Sequence, residues 1–501
     1  MSDKATERYF KKLNRRREKY LQSAKSNPKS YRNNVRLMAV IMVLIPTLFL
    51  ASVIGFLTFD VSAMFNENRD AIFGHGAKFG LAFVIFSIFN ALRVSIGWPE
   101  GEEIFSDQAP ELFMMIETVR QAVNGPPVDR VFISSDLNAC ITQPRQKTKF
   151  WKTENHLTLG LPLLNLLNHE ETMAVIAHEF GHFCAGDGKL GNKLYRASIT
   201  VERLQDRYET EGAMWVEMPL AFFINHFGEK FIDRIFPLIR EQEYAADAMS
   251  AQVTSPQALA SALIRLQIGA NYLARVYWPF VKRSTFQSEG PNIRPIEDNA
   301  AALCNVVNWQ EKTRWMNAGL LQETDYEDTH PVLSKRLEAL NVNAFYPQHH
   351  NQPASGLLGS LYAPLAKQFD DKWQSDMNQK WAENYKEGKD MQIRYQDLLQ
   401  SAQSAPLSLE DSIELAEISN RIFDAPVLYG NLNYLINQHA QVSEAWLYAG
   451  QTLLKDGQPQ CISYLQHAAD LNSDYLSIVH GMMAQHYREM GDTDALKAVA
   501  A

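Results

Sequence analysis

The sequence predicts a mainly α chain of the α+β kind in three parts: N-terminal transmembrane helices, a helical body around a small β-sheet, and a C-terminal α-helical, repeat-like domain. Three observations lead there. Residues 37–59 run for 23 positions without a charge. The middle of the chain sets apolar residues at three- and four-residue spacing between short β-prone runs. The last ninety or so residues repeat a pattern every 34 positions. With 46% hydrophobic and 21% charged residues, the remainder suits a globular body once the anchor is set aside.

The expected boundaries are 1–36 for a basic tail, 37–98 for a membrane anchor, 105–345 for the body, 346–405 for a loop and helical linker, and 406–501 for the repeat-like domain. The tail holds 12 Lys or Arg against 3 acidic residues, a net of +9. Because the whole chain carries −9, everything after residue 36 carries −18. The tail is expected to stay cytoplasmic and to touch lipid headgroups. The acidic body argues against nucleic acid as a partner, and a nucleic-acid-binding arm would sit badly beside a membrane span.

The first span, 37–59, covers roughly 34 Å as a helix, against a hydrocarbon core of about 30 Å. A second is expected at 77–98, although its uncharged core is only Phe79 to Leu92. Lys78 and Arg93 would have to snorkel there, with Gly97 and Trp98 at the interface. Otherwise the segment dips into one leaflet. If both spans cross, the body lies on the cytoplasmic side, in a reducing compartment that suits four cysteines, 140, 184, 304 and 461, with no close pairing pattern. A bacterial inner membrane is the expected location.

The body opens with a helix from Pro110 to about Val123, then Pro126 and Pro127 lead into a strand from Arg130 to Ser134, with another near His156 to Leu159. A further helix is expected from Ser255 and Pro256 to about Tyr277, with Ser as N-cap and Pro at N1. Leu220 to Ile239, interrupted by Glu229, Lys230, Asp233 and Arg234, reads as an amphipathic helix that covers the body or rests on the membrane.

His178-Glu179-Phe180-Gly181-His182 carries the chemistry. Asn168 as N-cap and Glu171 three residues on form a capping box that starts the required helix. Positions four apart on a helix differ by roughly 40° and about 6 Å, so both imidazoles leave one face toward a metal. Glu179 can reach a water at that metal as a general base. Cys184 falls on the apolar stripe and reads as core. A catalytic zinc usually takes three protein ligands, and the best third candidate is Glu243, on the same helical face as Asp247. Asp247 can accept the N–H of a ligating imidazole, and small Ala245 and Ala246 permit the two helices to approach.

These motifs resemble the gluzincin zinc peptidases that include the CAAX prenyl proteases and the HtpX-type membrane proteases. The resemblance covers roughly Pro110 to Leu340 and extends to Asn138-Ala139, Leu159-Gly160-Leu161-Pro162, Asp187, and Thr329-His330-Pro331 with Arg336. It implies a zincin-like helical peptidase domain and one Zn2+ held by His178, His182 and Glu243. Glu179 would be the catalytic base and Asp247 the carboxylate behind the ligands. His330 would help hold the substrate carbonyl, with Arg336 supporting that region, and Asn138 and Ala139 would lie on an edge strand that binds peptide backbone. A satisfied loop histidine is the competing reading of His330.

In the C-terminal part, Trp446, Gly450, Gly457 and Ala469 have tetratricopeptide-like spacing, which Ala484, Tyr487 and Gly491 resume. Such helix pairs offer a concave surface to peptides or a partner protein. A plain α-hairpin domain is the alternative. A polar helix from Asp370 to about Leu399 would join this unit to the body, and His349-His350 reads as loop. The expected function is a membrane-anchored zinc metalloendopeptidase acting on misfolded or membrane-associated proteins. The alternatives are an inactive membrane-tethered scaffold and a prenyl-protein protease, although two spans are few for the chamber of the latter.

Overall fold

A computed structural model describes residues 3–58, 100–144, 153–184, 197–198, 201–208, 210, 212, 218–322 and 330–500. It is mainly helical around one small sheet, as expected. The sheet has four strands, β1 (Glu102–Ile104), β2 (Arg130–Ser134), β3 (Ala139–Thr142) and β4 (His156–Gly160), in the order β1-β2-β4-β3. β2 and β4 pair in parallel, while β1 and β3 run antiparallel to their neighbours. β3 is therefore an edge strand. Every residue of β4 is buried, which suits an inner strand covered on both faces.

Helices pack on this sheet. α3 (Pro110–Ala122) and the short α4 (Leu161–Leu166) precede α5 (His169–Cys184), the helix with the two-histidine motif. α6 (Met218–Val253) runs 36 residues through Pro237 and carries Glu243. The amphipathic stretch 220–239 and the Glu243 segment are thus one helix. α7 (Pro256–Tyr272) begins at Ser255, whose side chain accepts the Ala258 N–H, and passes through a π turn, Leu273–Tyr277, into α8 (Trp278–Gln287). Pro279 lacks the N–H that would continue a regular ladder, and its ring crowds the carbonyl four residues back. α9 (Pro295–Cys304), α10 (Lys312–Leu320) and α11 (Leu333–Leu340) complete the body.

The basic tail is helical too: α1 (Asp3–Ser26) lies against α6. Arg16 and Arg17 each reach Asp233 at 2.8 Å, and Asp233 is only 1% exposed. Arg17 and Arg240 also stack on Phe236. A charge run expected to face lipid thus has one side turned into the protein. α2 (Pro28–Thr58) follows. Among the described residues no helix is long and apolar enough to cross a membrane. The expected first span falls on α2, where Leu37, Val40, Leu44 and Leu48 are exposed. The side chains beyond Leu48, and the whole expected second span, lie outside the described residues.

The linker is the long α12 (Tyr362–Ser404), which buries Trp381 in the body core. Six helices follow as successive neighbours: α13 (Leu409–Ile422), α14 (Ala425–Gln438), α15 (Ser443–Lys455), α16 (Cys461–Leu471), α17 (Leu476–Met490) and α18 (Thr493–Ala500). The glycines that mark the 34-residue period have a conformational reason. Gly457 and Gly491 end α15 and α17 at φ +68° and +74°, the left-handed region in which other residues are strained. The unit is fastened to the body through Glu489, which pairs with Arg275 at 3.1 Å and Arg314 at 2.8 Å.

Candidate metal centre

α5 begins with the expected reciprocal cap. Asn168 Oδ1 accepts the Glu171 N–H and Glu171 Oε2 accepts the Asn168 N–H, both at 2.9 Å. The other oxygen of Glu171 receives Ser261 Oγ and, at 2.7 Å, buried Arg265 Nε. The capping residue therefore also ties α5 to α7, which no local signal announced.

Two turns further on, His178 and His182 lie with ring centroids 4.8 Å apart and nearly perpendicular. Glu243 on α6 faces both: its Oε2 is 3.7 Å from His178 Nε2 and its Oε1 is 3.6 Å from His182 Nε2. Ligating atoms of the three residues all lie within 4.8 Å of one another. A tetrahedral zinc with bonds of about 2.0–2.2 Å holds its ligand atoms roughly 3.4 Å apart, so the set fits one ion with little adjustment. Among the described residues Glu243 Oε2 is buried without a hydrogen-bond partner. A stranded carboxylate oxygen is costly, and a cation between the three side chains would relieve it.

Asp247 lies one turn beyond Glu243, and its Oδ1 is 2.9 Å from His178 Nδ1. By accepting that N–H it fixes the tautomer that leaves Nε2 unprotonated toward the metal position. Arg336 on α11 grips the same carboxylate through Nε at 2.8 Å and a terminal nitrogen at 2.5 Å. Arg336 was expected beside the substrate. Its guanidinium instead holds Asp247 behind His178. Burial works to raise the Asp247 pKa, but Arg336 and His178 outweigh it and keep the carboxyl well below its ordinary value.

His182 is pushed down to about 3, by burial first and then by His178, His330 and Arg336. It is therefore held as the neutral imidazole that can ligate. The Glu179 carboxyl is raised, chiefly by burial and further by Glu243, against the pull of His178, His330 and the Ile141 N–H. A raised carboxyl beside the metal position is suited to take up and release a proton. His330 is an exposed residue with Nε2 3.8 Å from Glu243 Oε2. Cys184 packs against the core and His350 Nε2 lies 3.2 Å from the Leu166 carbonyl, so neither joins the centre. Asp187 and Thr329 lie outside the described residues.

β3 lies alongside α5. Asn138 gives its carbonyl to the Gly160 N–H at 2.8 Å and its side chain to the Ala139 N–H at 2.9 Å. Asn138 thus shapes the start of the strand. Antiparallel ladders alternate, so with Asn138 bonded to Gly160, the carbonyls of Ala139 and Ile141 turn to the open side, and the Ile141 N–H reaches Glu179. Gly160 is required here, since a Cβ would sit 1.7 Å from the Asp136 carbonyl oxygen. Ile141 was not among the expected site residues. Its part follows from register, which the sequence alone did not supply.

Residues 149–344 match Peptidase family M48. The chain is 25% identical over 250 residues to Protease HtpX of Actinobacillus pleuropneumoniae serotype 5b (strain L20), covering 46% of this chain and 84% of that protein. It is 26% identical over 291 residues to the Protease HtpX homolog of Streptococcus equi subsp. equi (strain 4047), covering 53% and 85%. Both likenesses support a protease, and the matched residues 149–344 include the three able to hold a metal.

Proposed function

We propose that this protein is a zinc-dependent metalloendopeptidase held at a membrane by its N-terminal segment. One observation carries the reading: His178, His182 and Glu243 converge within 4.8 Å from two helices, with a buried Glu243 oxygen that has no hydrogen-bond partner among the described residues. Zinc there would supply Lewis-acid polarisation of a water and of the peptide carbonyl. Glu179 would accept a proton from the attacking water and pass it to the leaving amine. Asp247, backed by Arg336, would keep His178 in its ligating tautomer. His330 would hydrogen-bond the carbonyl oxygen as it gains charge.

A peptide would add along the edge of β3 by donating to the outward carbonyls of Ala139 and Ile141, whose own N–H groups are taken by Asn138 and Glu179. The exposed apolar side chains of α2 and the outer basic face of α1 support a membrane location, with lipids as partners and the body on the cytoplasmic side. Misfolded or membrane-associated proteins are the substrates that fit such a placement. The tetratricopeptide-like helices would recruit substrate or a partner protein. Metal analysis joined to degradation of an unfolded model protein tests the reading. About one zinc per chain is expected, with cleavage that Glu179→Gln abolishes. Undiminished cleavage by Glu179→Gln would sink the assignment.

A further inference from the structure

We infer that a cavity at the start of β3 is a subsite that takes one large uncharged side chain of the peptide about four residues from the bond that is cut. The inference rests on the proposal that a peptide pairs with β3. The cavity has a volume of about 310 Å³, at the lower end of the roughly 300–1,000 Å³ typical of ligand pockets and enough for a single ring. Its wall on one side is Ser135, Asp136 and Leu137, the turn that runs directly into β3. Leu273, Trp278, Leu303, Phe369 and Trp373 supply most of the rest. Trp278 is 43% exposed and forms part of the mouth.

Two polar groups in the wall are already engaged. Asp370 accepts the N–H groups of Ile296 and Glu297 at 2.8 and 3.1 Å, capping α9. Asn299 accepts from Tyr272 and donates to the Pro295 carbonyl. The cavity therefore offers mostly apolar surface to an occupant. Phenylalanine or leucine suits it, whereas a charged side chain would lose its water to a mostly apolar wall.

The distance to the chemistry follows from the strand. Ile141, whose N–H reaches Glu179, is four residues beyond Leu137, at most about 13 Å along an extended chain. A peptide antiparallel to β3 would carry the corresponding residue over the mouth. Gly160 keeps the two features together, because the Asp136 carbonyl can approach only a residue without a Cβ there.

The test uses the full-length protein and internally quenched peptides in which Phe, Ala and Glu are placed in turn at each of five positions on both sides of the scissile bond. Wild type is expected to prefer Phe over Ala by about 10-fold in kcat/KM at one position near the fourth, the usual size of an apolar pocket's discrimination. Leu303→Trp fills the cavity and Trp278→Ala opens its mouth. Both should flatten that preference while leaving peptides with three residues on each side of the bond cut at rates within about 2-fold of wild type. If Leu303→Trp fails to fold by circular dichroism, exposed Trp278→Ala decides. Equal rates for Phe and Ala at that distance, or a preference unchanged in the folded variants, overturn the subsite alone. No cleavage by wild type, or cleavage that survives Glu179→Gln, overturns the peptidase reading beneath it.

Discussion

Gly181 and Ala246 meet where α5 crosses α6, so closely that a Cβ on Gly181 would stand 2.6 Å from the Ala246 Cα. This contact sets the separation of the helices that carry His178, His182 and Glu243. Gly181→Ala must push them apart. Overpacking of this kind costs roughly 1–3 kcal/mol, and the shift falls on the metal set itself. A lower melting temperature and weaker zinc binding by titration are expected together. Wild-type affinity in Gly181→Ala would mean that the helices are not held by this contact.

Glu179→Gln and His178→Ala should separate base from ligand. The first is expected to bind zinc as wild type does while losing at least about 100-fold in kcat, the lower end for a positioned proton acceptor. The second should lose both. Atomic absorption alongside peptide kinetics distinguishes them.

Arg336→Ala removes the clamp on Asp247 and leaves a buried carboxylate with one partner fewer. Zinc affinity is expected to drop by roughly 10–100-fold, as for other groups that orient a ligating imidazole. Arg336→Lys should recover only part, because an ammonium lacks the planar fork that meets both oxygens. A chelator-competition assay reads the difference, and kcat at saturating zinc should change far less than the affinity.

The metal-free protein should lose stability in acid. His182 titrates near 3 in the folded chain but near 6.5 when unfolded, so the unfolded chain binds more protons between those values and folding weakens as pH falls through them. Asp247, depressed by Arg336 and His178, acts in the same direction below about pH 4. Thermal melts of chelator-treated protein should be flat near pH 7–8 and decline from about pH 6.5 downward. His182→Gln should reduce the slope between pH 6.5 and 4. An unchanged slope would remove His182 as its source.

Arg17→Ala should loosen the N-terminal helix. Asp233 is buried between Arg16 and Arg17, and breaking one partner of a buried pair costs roughly 3–5 kcal/mol. Limited proteolysis is expected to cut within residues 3–26 of the variant faster than in wild type. Arg15→Ala, an exposed neighbour, is the control and should leave the rate unchanged.

Local chemistry was legible in the sequence wherever it acts over a few residues. The Asn168–Glu171 box, the Ser255 cap, β2 from Arg130 to Ser134 and the two turn glycines of the C-terminal unit all reflect constraints within four residues. The two-histidine spacing belongs to the same class. What was not legible depends on pairs far apart in the chain. Arg17 and Asp233 are 216 residues apart, so the tail read as a basic run facing lipid headgroups. Arg336 and Asp247 are 89 apart, so the arginine was assigned to the substrate side. The continuity of α6 was hidden by Pro237 and by a run of charges, of which Asp233 faces α1 rather than water.

Pro237 lies between Asp233, which holds the N-terminal helix, and Glu243, which faces the two histidines. A proline inside a helix removes one rung of its ladder, so this long rod lacks one internal hydrogen bond between the end that is tethered and the end that faces the two histidines. The spacing of the residues that could hold a metal is set beyond that missing rung, at the Gly181–Ala246 crossing.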